Sequence, residues 1–240
     1  MTPQILYEDN HILIVDKPAG ILSQRDSSGK DSLIEILKAY IKEKYNKPGE
    51  VFIGPVHRLD LPVSGLMVYA KTSKAARRLH SEIINARMDK YYTAVIEKEF
   101  AVDKEWHELE NFLTRINDKT MIDKKMNSHS KKSELYYTVL ESLKGYSIVL
   151  IKLITGRKHQ IRAQFSALGA QIVGDKKYGS KNSLNNSICL HSTILSFNHP
   201  TLKDRMVFIS DIPHIFTNFI NIDLNIVKDN IHKLISESKG

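Results

Sequence analysis

The chain has 240 residues and a mass of 27.4 kDa, which is enough to bury a sizeable core in one domain or in two lobes. Its 35 Lys and Arg residues outnumber its 27 Asp and Glu residues, and the resulting formal net charge of +8 favours a polyanionic partner. The single cysteine, Cys189, excludes an intramolecular disulfide, and no Cys/His spacing is typical of a zinc site. No apolar stretch reaches the length of a membrane span and the first residues do not resemble a secretion signal, so we expect a cytoplasmic protein.

Short apolar runs and a helix signal alternate in the first seventy residues. The runs at 5–7 and 12–15 predict a pair of β-strands, and the run at 65–70 is too short for a helix and predicts a buried strand. Ser32 followed by Glu35 forms a capping box, which predicts the start of a helix. The apolar side of this helix is formed by Leu33, Leu37, Tyr40 and Ile41.

A second amphipathic helix is predicted after Thr72 or Ser73, either of which can cap its first turn. Its apolar side is formed by Ala76, Leu79 and Ile83. Its opposite side carries Lys74, Arg77 and Arg78. This basic side either binds a nucleic acid or is an ordinary solvated surface, and the pattern alone leaves both interpretations open.

The middle of the chain returns to β-type residues. Residues 90–96 predict a strand on which Tyr91 and Tyr92 point to opposite faces, so that only one of them can face a cleft. An aromatic ring beside a basic residue such as Lys90 can stack on a base. Residues 115–133 are polar and Lys-rich and predict an exposed hairpin or loop, a candidate arm for binding RNA. Further strands are predicted at 135–140 and 147–154 with a turn at 144–145, and a last helix from about residue 223.

The tetrapeptide HRLD at residues 57–60 places one carboxylate on a loop framed by glycine and proline. Taken alone, Asp60 is better explained as a solvated surface residue. Downstream, residues 153–162 (LITGRKHQIR) concentrate cationic and hydrogen-bonding side chains where an apolar strand ends and a helix begins. Helix N-termini favour anions, and arginine binds phosphate or carboxylate groups through two hydrogen bonds. The two segments together therefore indicate chemistry on a nucleotide.

The helix predicted from His159 ends at Gly169 and places Arg162 beside its buried stripe. Arg162 is either a cation directed at an anionic group or a structural support for the loop. Asp175, between Gly174 and Gly179, could be a second catalytic carboxylate. We favour a structural role for Asp175, because closely spaced glycines usually mark a tight backbone turn.

Six segments in this order resemble the RluA-type pseudouridine synthases, and the resemblance extends from about residue 5 to residue 213. The segments are ILYEDNHILIVDKPAG at 5–20, HRLDLPVSGLMVYAKT at 57–72, KYYTA at 90–94, LITGRKHQIR at 153–162, GDKKYG at 174–179 and LHSTILSFNHP at 190–200. The resemblance implies an α+β fold with a mixed, largely antiparallel central sheet flanked by helices and a catalytic cleft across the sheet. It also implies a single catalytic domain over residues 1–240, made of two lobes that share one sheet, without a preceding S4 domain.

The resemblance assigns roles to three residues. Asp60, the last residue of HRLD, corresponds to the catalytic aspartate, and Arg162 corresponds to the arginine that pairs with it and keeps it ionised. Tyr92 corresponds to the tyrosine that packs on the target base. The sequence departs from the usual family pattern at residues 61–63 and 163–164, which puts the substrate preference in doubt more than the chemistry.

The implied reaction breaks the N1–C1′ bond of uridine and forms a C5–C1′ bond without redox change, so no cofactor and no metal are expected. One carboxylate suffices, as nucleophile or in proton transfer, where glycoside hydrolysis would use two. The expected partner is RNA, either rRNA or tRNA, bound by a monomer. The expected RNA-binding residues are His57, Arg58, Arg77, Arg78, Arg157, His159 and Gln160.

Two other classes of protein remain possible on sequence alone. The first is a catalytically inactive RNA-binding protein with the same fold, against which the joint presence of Asp60, Tyr92 and Arg162 argues. The second is an RNA glycosidase or nuclease, which would need a water-activating second carboxylate or metal ligands.

Overall fold

The computed structural model describes residues 3–26, 29, 32–123 and 125–220, together with 225 and 229. The helix predicted from about residue 223 therefore lies outside the described residues, apart from Asn225 and Asp229. The strands are β1 (Gln4–Glu8), β2 (Ile12–Lys17), β3 (Gly54–Pro55), β4 (Ser64–Ala70), β5 (Asp89–Ile96), β6 (His107–Ile116), β7 (Lys119–Asp123), β8 (Lys131–Leu143), β9 (Tyr146–Leu153), β10 (Leu190–Asn198) and β11 (Arg205–Ile209). The helices are α1 (Leu33–Lys44), α2 (Ser73–Ile84) and α3 (Gln160–Ala167), with 3₁₀ turns at Lys176–Tyr178 and His214–Asn218.

The chain divides into two compact units, and each unit is built from two separate segments. The first unit comprises residues 1–89 and 194–210, and the second comprises 90–193 and 211–240. Among the described residues, no helix is both long and apolar enough to cross a membrane.

In the first unit, β2 lies between β1 and β4 with antiparallel pairing on both sides, and the short β3 also pairs with β4. The β1–β2 pair and the buried β4 confirm the strands predicted at 5–7, 12–15 and 65–70. The second half of β10 pairs with β11 in the same unit. One apolar cluster joins β2, β4 and α2 to β10, and it contains Ile12, Ile14, Val56, Leu66, Val68, Ala70, Ala75, Leu79, Met88, Leu195 and Phe197.

Helix α1 begins where the capping box predicted, but the cap itself differs from the prediction. Ser32 takes the extended N-cap conformation, yet its hydroxyl does not accept from a backbone N–H. The hydroxyl instead donates to the Glu35 carboxylate, and the Glu35 N–H donates to the Ser32 carbonyl oxygen at 3.1 Å. The serine and the glutamate therefore satisfy each other directly, and the backbone cap expected from the motif is absent here.

Helix α2 is capped as predicted, because the Thr72 hydroxyl accepts a hydrogen bond from the Ala75 N–H at 3.1 Å. Its buried residues are Ala75, Leu79 and Glu82, so the buried face is rotated slightly from the predicted one. Glu82 is buried because its carboxylate is satisfied by Arg87 at 2.9 Å and by an asparagine of β10.

The second unit contains a run of antiparallel strands in the order β5-β9-β8-β6-β7. The turn between β8 and β9 lies at Lys144 and Gly145, both with positive φ, as predicted. The Lys-rich stretch 115–133 includes a hairpin between β6 and β7, followed by a connection into β8. Of the two structures predicted for residues 115–133, a hairpin or a loop, the hairpin is confirmed for the first half of this stretch.

Helix α3 begins after His159, which has a left-handed conformation with φ of 54°. It ends at Ala167 with Leu168 as its C-cap, and Gly169 follows with φ of 67°, which agrees with the predicted end of the helix. The strand pairs within each unit are antiparallel and the helices are short, which confirms the α+β class. The predictions of one domain and of a cleft across the sheet remain predictions.

Candidate active site

Asp60 lies in the first unit, half-buried, on a loop that is fixed on both sides by backbone contacts. The Ser23 hydroxyl donates to the Leu59 carbonyl oxygen at 2.7 Å and accepts from the Leu59 N–H at 3.1 Å. On the other side, the Leu61 carbonyl oxygen accepts from the Gly20 N–H at 2.8 Å. Both neighbours of Asp60 are therefore held by the segment that follows β2, which restricts the position of its carboxylate.

Lys17, the last residue of β2, adds a third contact to this loop. Its side chain is fully buried, and its Nζ donates to the carbonyl oxygens of Pro18 at 3.0 Å, Ile21 at 2.9 Å and Leu61 at 3.3 Å. Burial lowers the pKa of Lys17 to about 7, although the negative charges of Asp60 and Asp16 act in the opposite direction. Sequence reasoning missed both Lys17 and Ser23; the available signal was a lysine inside an apolar strand, next to proline.

His57 supports the same loop through its ring. Its Nε2 accepts a hydrogen bond from the Val68 N–H at 3.3 Å, which requires that this nitrogen carry no proton. His57 therefore helps to order the loop that carries Asp60, and its expected contact with RNA stays a prediction.

The three arginines predicted to bind RNA in this unit differ in exposure. Arg58 and Arg77 are exposed, whereas Arg78 is half-buried. One guanidinium nitrogen of Arg78 donates to the Pro200 carbonyl oxygen at 2.8 Å, so Arg78 also fixes the chain beyond β10. The basic side of α2 is therefore only partly a free surface.

In the second unit, Arg162 and Asp175 form a buried, bidentate ion pair. Nε of Arg162 lies 2.6 Å from Oδ2 of Asp175, and Nη2 lies 2.8 Å from Oδ1, with both side chains almost fully buried. The guanidinium carbon also lies 5.0 Å from the centre of the Tyr178 ring. The Asp175 carboxylate thus fixes the plane of the Arg162 guanidinium, and the structural role favoured for Asp175 stays a prediction.

The loop before α3 is held by Gln160 and His159. The Gln160 Oε1 accepts from the Thr155 hydroxyl at 2.8 Å and from the Arg157 N–H at 3.0 Å, while its Nε2 donates to a carbonyl oxygen of β8. The His159 Nδ1 lies 3.1 Å from the Tyr178 hydroxyl. Both side chains are buried and shape the loop, whereas Arg157 is exposed and its Nε donates to the Lys132 carbonyl oxygen at 3.1 Å.

Strand β5 carries the two tyrosines that the sequence placed on opposite faces. Both Tyr91 and Tyr92 are about 5% exposed. The Tyr91 ring packs 6.4 Å from the Trp106 ring and lies beneath Lys152 Nζ at 5.8 Å. Tyr91 is therefore packed inside the second unit, and the expectation that Tyr92 faces a cleft stays a prediction.

The comparisons with known proteins decide the family. The family model described as RNA pseudouridylate synthase matches residues 11–167, a range that includes Asp60, Tyr92 and Arg162. The chain belongs to the RluA-type RNA pseudouridine synthases. As a member of this family, the protein isomerises uridine to pseudouridine in RNA.

Curated relatives of this pseudouridine synthase cover most of its length. It is 30% identical over 214 residues to the dual-specificity RNA pseudouridine synthase RluA of Haemophilus influenzae, covering 85% of this chain and 90% of that one. It is also 30% identical to the ribosomal large subunit pseudouridine synthase C of Buchnera aphidicola, covering 90% of this chain and 69% of that protein. An uncharacterized RNA pseudouridine synthase of Aquifex aeolicus is 32% identical over 88% of this chain and 70% of its own length.

Two solved structures share the fold of this pseudouridine synthase. Human RNA pseudouridylate synthase domain containing 4 matches with a TM-score of 0.72 at 21% identity, over 89% of this chain and 90% of that chain. Human RNA pseudouridylate synthase domain containing 1 matches with a TM-score of 0.67 at 23% identity, over 87% and 82%. They confirm the pseudouridine synthase fold.

One group of carboxylates in the second unit of the synthase has the spacing of metal ligands. Glu108, Glu110 and Glu134 each offer an oxygen within 4.8 Å of the others. The Lys132 Nζ lies 2.9 Å from a Glu110 oxygen and 3.7 Å from a Glu134 oxygen, so an ammonium already balances part of this charge. Lys132, Glu110 and Glu134 thus form a cross-strand ion-pair network, which carries no argument for a metal in the reaction.

Proposed function

We propose that Asp60 is the catalytic aspartate of this pseudouridine synthase. The proposal rests on its place at the end of HRLD and on the contacts through which Ser23 and Lys17 hold its two neighbours. A carboxylate held in one position loses little conformational freedom when it reacts, either as a nucleophile or as a proton acceptor. Uridine isomerisation breaks N1–C1′, forms C5–C1′, transfers a proton to N1 and releases the hydrogen from C5.

Tyr92 and Arg162 serve the same reaction in this proposal. An aromatic ring stacked on a flipped uracil offsets part of the cost of unstacking, which is roughly a few kcal/mol. The bidentate bond to Asp175 supports the role of Arg162, because it fixes the plane of the guanidinium before substrate binds. These two assignments come from the family motifs and depend on them.

The substrate proposed is structured RNA, either rRNA or tRNA. The name of one curated relative, a ribosomal large subunit enzyme, supports rRNA, and another relative is called a dual-specificity RNA enzyme. The excess of eight positive charges and the exposed Arg58, Arg77 and Arg157 favour sequence-independent phosphate contacts, which weaken as salt rises. We also propose that the protein acts in the cytoplasm as a monomer, which light scattering after gel filtration would check.

The test is tritium release from RNA labelled with 5-³H-uridine, with rRNA and tRNA assayed separately and without added metal. The protein is compared with Asp60→Asn, which keeps the shape of the side chain but removes its charge. Asp204→Asn is the matched control, because Asp204 is an exposed residue of the same unit. We expect release by the wild type and by the control, and none above background by Asp60→Asn.

The possible outcomes separate the competing assignments. Release by Asp60→Asn at the wild-type rate would refute the role of Asp60 and leave the family unchanged. RNA binding without release by the wild type in either fraction would instead favour an inactive RNA-binding protein. The fraction that releases tritium identifies the substrate class.

A further inference from the structure

Lys90, at the start of β5, is a buried cation that no acidic group among the described residues neutralises. The residue is 7% exposed. Among the residues that the structure describes, its Nζ has neither a hydrogen-bond partner nor an ion-pair partner. Burial alone lowers the pKa of Lys90, with no carboxylate acting in the opposite direction. The adjacent Asp89 is engaged by Arg205.

Most of the Lys90 side chain is removed from water, and no contact within the described residues offsets that desolvation. Lys17 shows the contrast, because its fully buried side chain donates from Nζ to three carbonyl oxygens. A methionine would pack the same aliphatic length at position 90 without a charge to desolvate. Retention of an ammonium group at such a position indicates a ligand that satisfies it.

The space beside Lys90 Nζ is kept open by Gly156. A Cβ added to Gly156 would meet one group within 4 Å, the Lys90 Nζ, at 3.8 Å. Gly156 does not have a positive φ, so its backbone conformation does not require a glycine, and the residue is exposed. The absence of a side chain at residue 156 therefore leaves room next to the ammonium on a solvent-accessible loop, where a ligand can approach the backbone closely.

The surroundings of this space are basic. Gly156 is followed by Arg157 and Lys158, both exposed, and α3 begins four residues after Gly156. The loop is held in shape by Gln160, so the position of Gly156 relative to the helix is fixed. A negatively charged oxygen placed between Lys90 Nζ and Gly156 would gain an ammonium donor in a partly desolvated setting.

We propose that Lys90 and Gly156 form a phosphate-binding subsite that holds a backbone phosphate of the substrate RNA and positions the strand for reaction. This proposal rests on the RNA modification proposed above and adds a positioning residue to it. Lys90 acts on the RNA backbone, not on the reacting base, so its loss weakens binding more than it slows the chemical step.

The first experiment compares the wild type with Lys90→Met, and uses Lys181→Met as the matched control, since Lys181 is an exposed lysine of the same unit. Binding of a fluorescent twelve-residue oligouridylate is measured from 50 to 300 mM salt. We expect the dissociation constant of Lys90→Met to rise roughly tenfold to a hundredfold, the range for losing one charge-assisted hydrogen bond. The slope of log binding constant against log salt should fall by about 0.7, the value for one phosphate contact on a single strand.

The second readout separates a binding role from a structural one. Thermal unfolding of Lys90→Met should occur at a higher temperature than that of the wild type, because a buried charge is removed. In the tritium assay its KM should rise while kcat stays within about twofold. A variant that is more stable and yet binds RNA less well is the signature of a ligand site.

A second variant, Gly156→Ala, probes the space instead of the charge. An added Cβ at 3.8 Å is ordinary contact, so the fold should tolerate it, but the methyl group occupies the space next to Nζ. We expect weaker oligouridylate binding with unchanged thermal stability. Unchanged affinity and salt slope in Lys90→Met would overturn the proposal, as would normal binding by a folded Gly156→Ala. The binding assay needs no turnover, so an inactive wild type would count against the proposed function alone.

Discussion

The buried Lys17 makes a strong prediction about how stability depends on pH. The pKa of Lys17 is about 7 in the folded protein and 10.5 in the unfolded chain. Lys17 therefore lowers the free energy of unfolding by its full amount below pH 7, and this destabilisation decreases as pH rises towards 10.5. The difference between the two pKa values corresponds to a destabilisation of roughly 5 kcal/mol, and about 2 kcal/mol of it disappears between pH 7 and pH 9. From pH 7 to pH 9, we therefore expect the free energy of unfolding to increase by about 2 kcal/mol more in the wild type than in Lys17→Met.

The assay is urea unfolding of both proteins at pH 7 and pH 9, followed by circular dichroism. Lys17→Met also removes one donor from each of three carbonyl oxygens, which lowers its stability at every pH and does not affect the difference between the two pH values. Lys90, whose pKa is also lowered, contributes equally to both proteins and cancels. If the two proteins gained the same stability from pH 7 to pH 9, the buried ammonium would not be titrating in this range and the reasoning would be wrong.

Three further substitutions test other parts of the structure. Asp175→Asn removes one carboxylate from a buried, bidentate ion pair and should lower the free energy of unfolding by about 3–5 kcal/mol. An unchanged urea midpoint would contradict a stabilising ion pair at this position. Thr72→Ala removes the hydroxyl that accepts from the Ala75 N–H and should cost about 1 kcal/mol in thermal unfolding, with tritium release per folded molecule unchanged. Gly174→Ala should lower the temperature of thermal unfolding, because φ at this residue is 86°. The new Cβ would also lie 2.9 Å from a leucine carbon and 3.0 Å from a carbonyl oxygen. An unfolding temperature equal to that of the wild type would show that the turn adapts.

Elements with strong local signals were predictable from the sequence. The apolar run of β4 is too short for a helix, and α3 ends at a glycine with positive φ, so local chemistry defines both. The same holds for Thr72, since a side-chain cap needs a partner only three residues away. The family motifs likewise assign Asp60 a catalytic role from the sequence alone, and this assignment stays a prediction.

Features that depend on distant contacts could not be predicted. Ser23 reaches Leu59 across 36 residues, and no local pattern in either segment indicates that contact. The pairing of Asp175 with Arg162 spans 13 residues, and the glycines around Asp175 do not indicate which cation it contacts. The capping box at Ser32 correctly predicts where α1 begins, but not its hydrogen bonds. The Ser32 hydroxyl donates to the Glu35 carboxylate instead of accepting from a backbone N–H, and only the folded contacts decide between these two partners.

The division of the first unit into residues 1–89 and 194–210 has a consequence for synthesis on the ribosome. Ile12 and Ile14 of β2 belong to an apolar cluster that also needs Leu195 and Phe197 of β10, which are made more than 180 residues later. The second unit's residues 90–193 emerge entirely within that interval and can begin to pair their strands first. During this interval the apolar side chains of β2 are not yet covered by β10. A ribosome that stalls near residue 193 therefore carries a nascent chain in which the first unit is still incomplete.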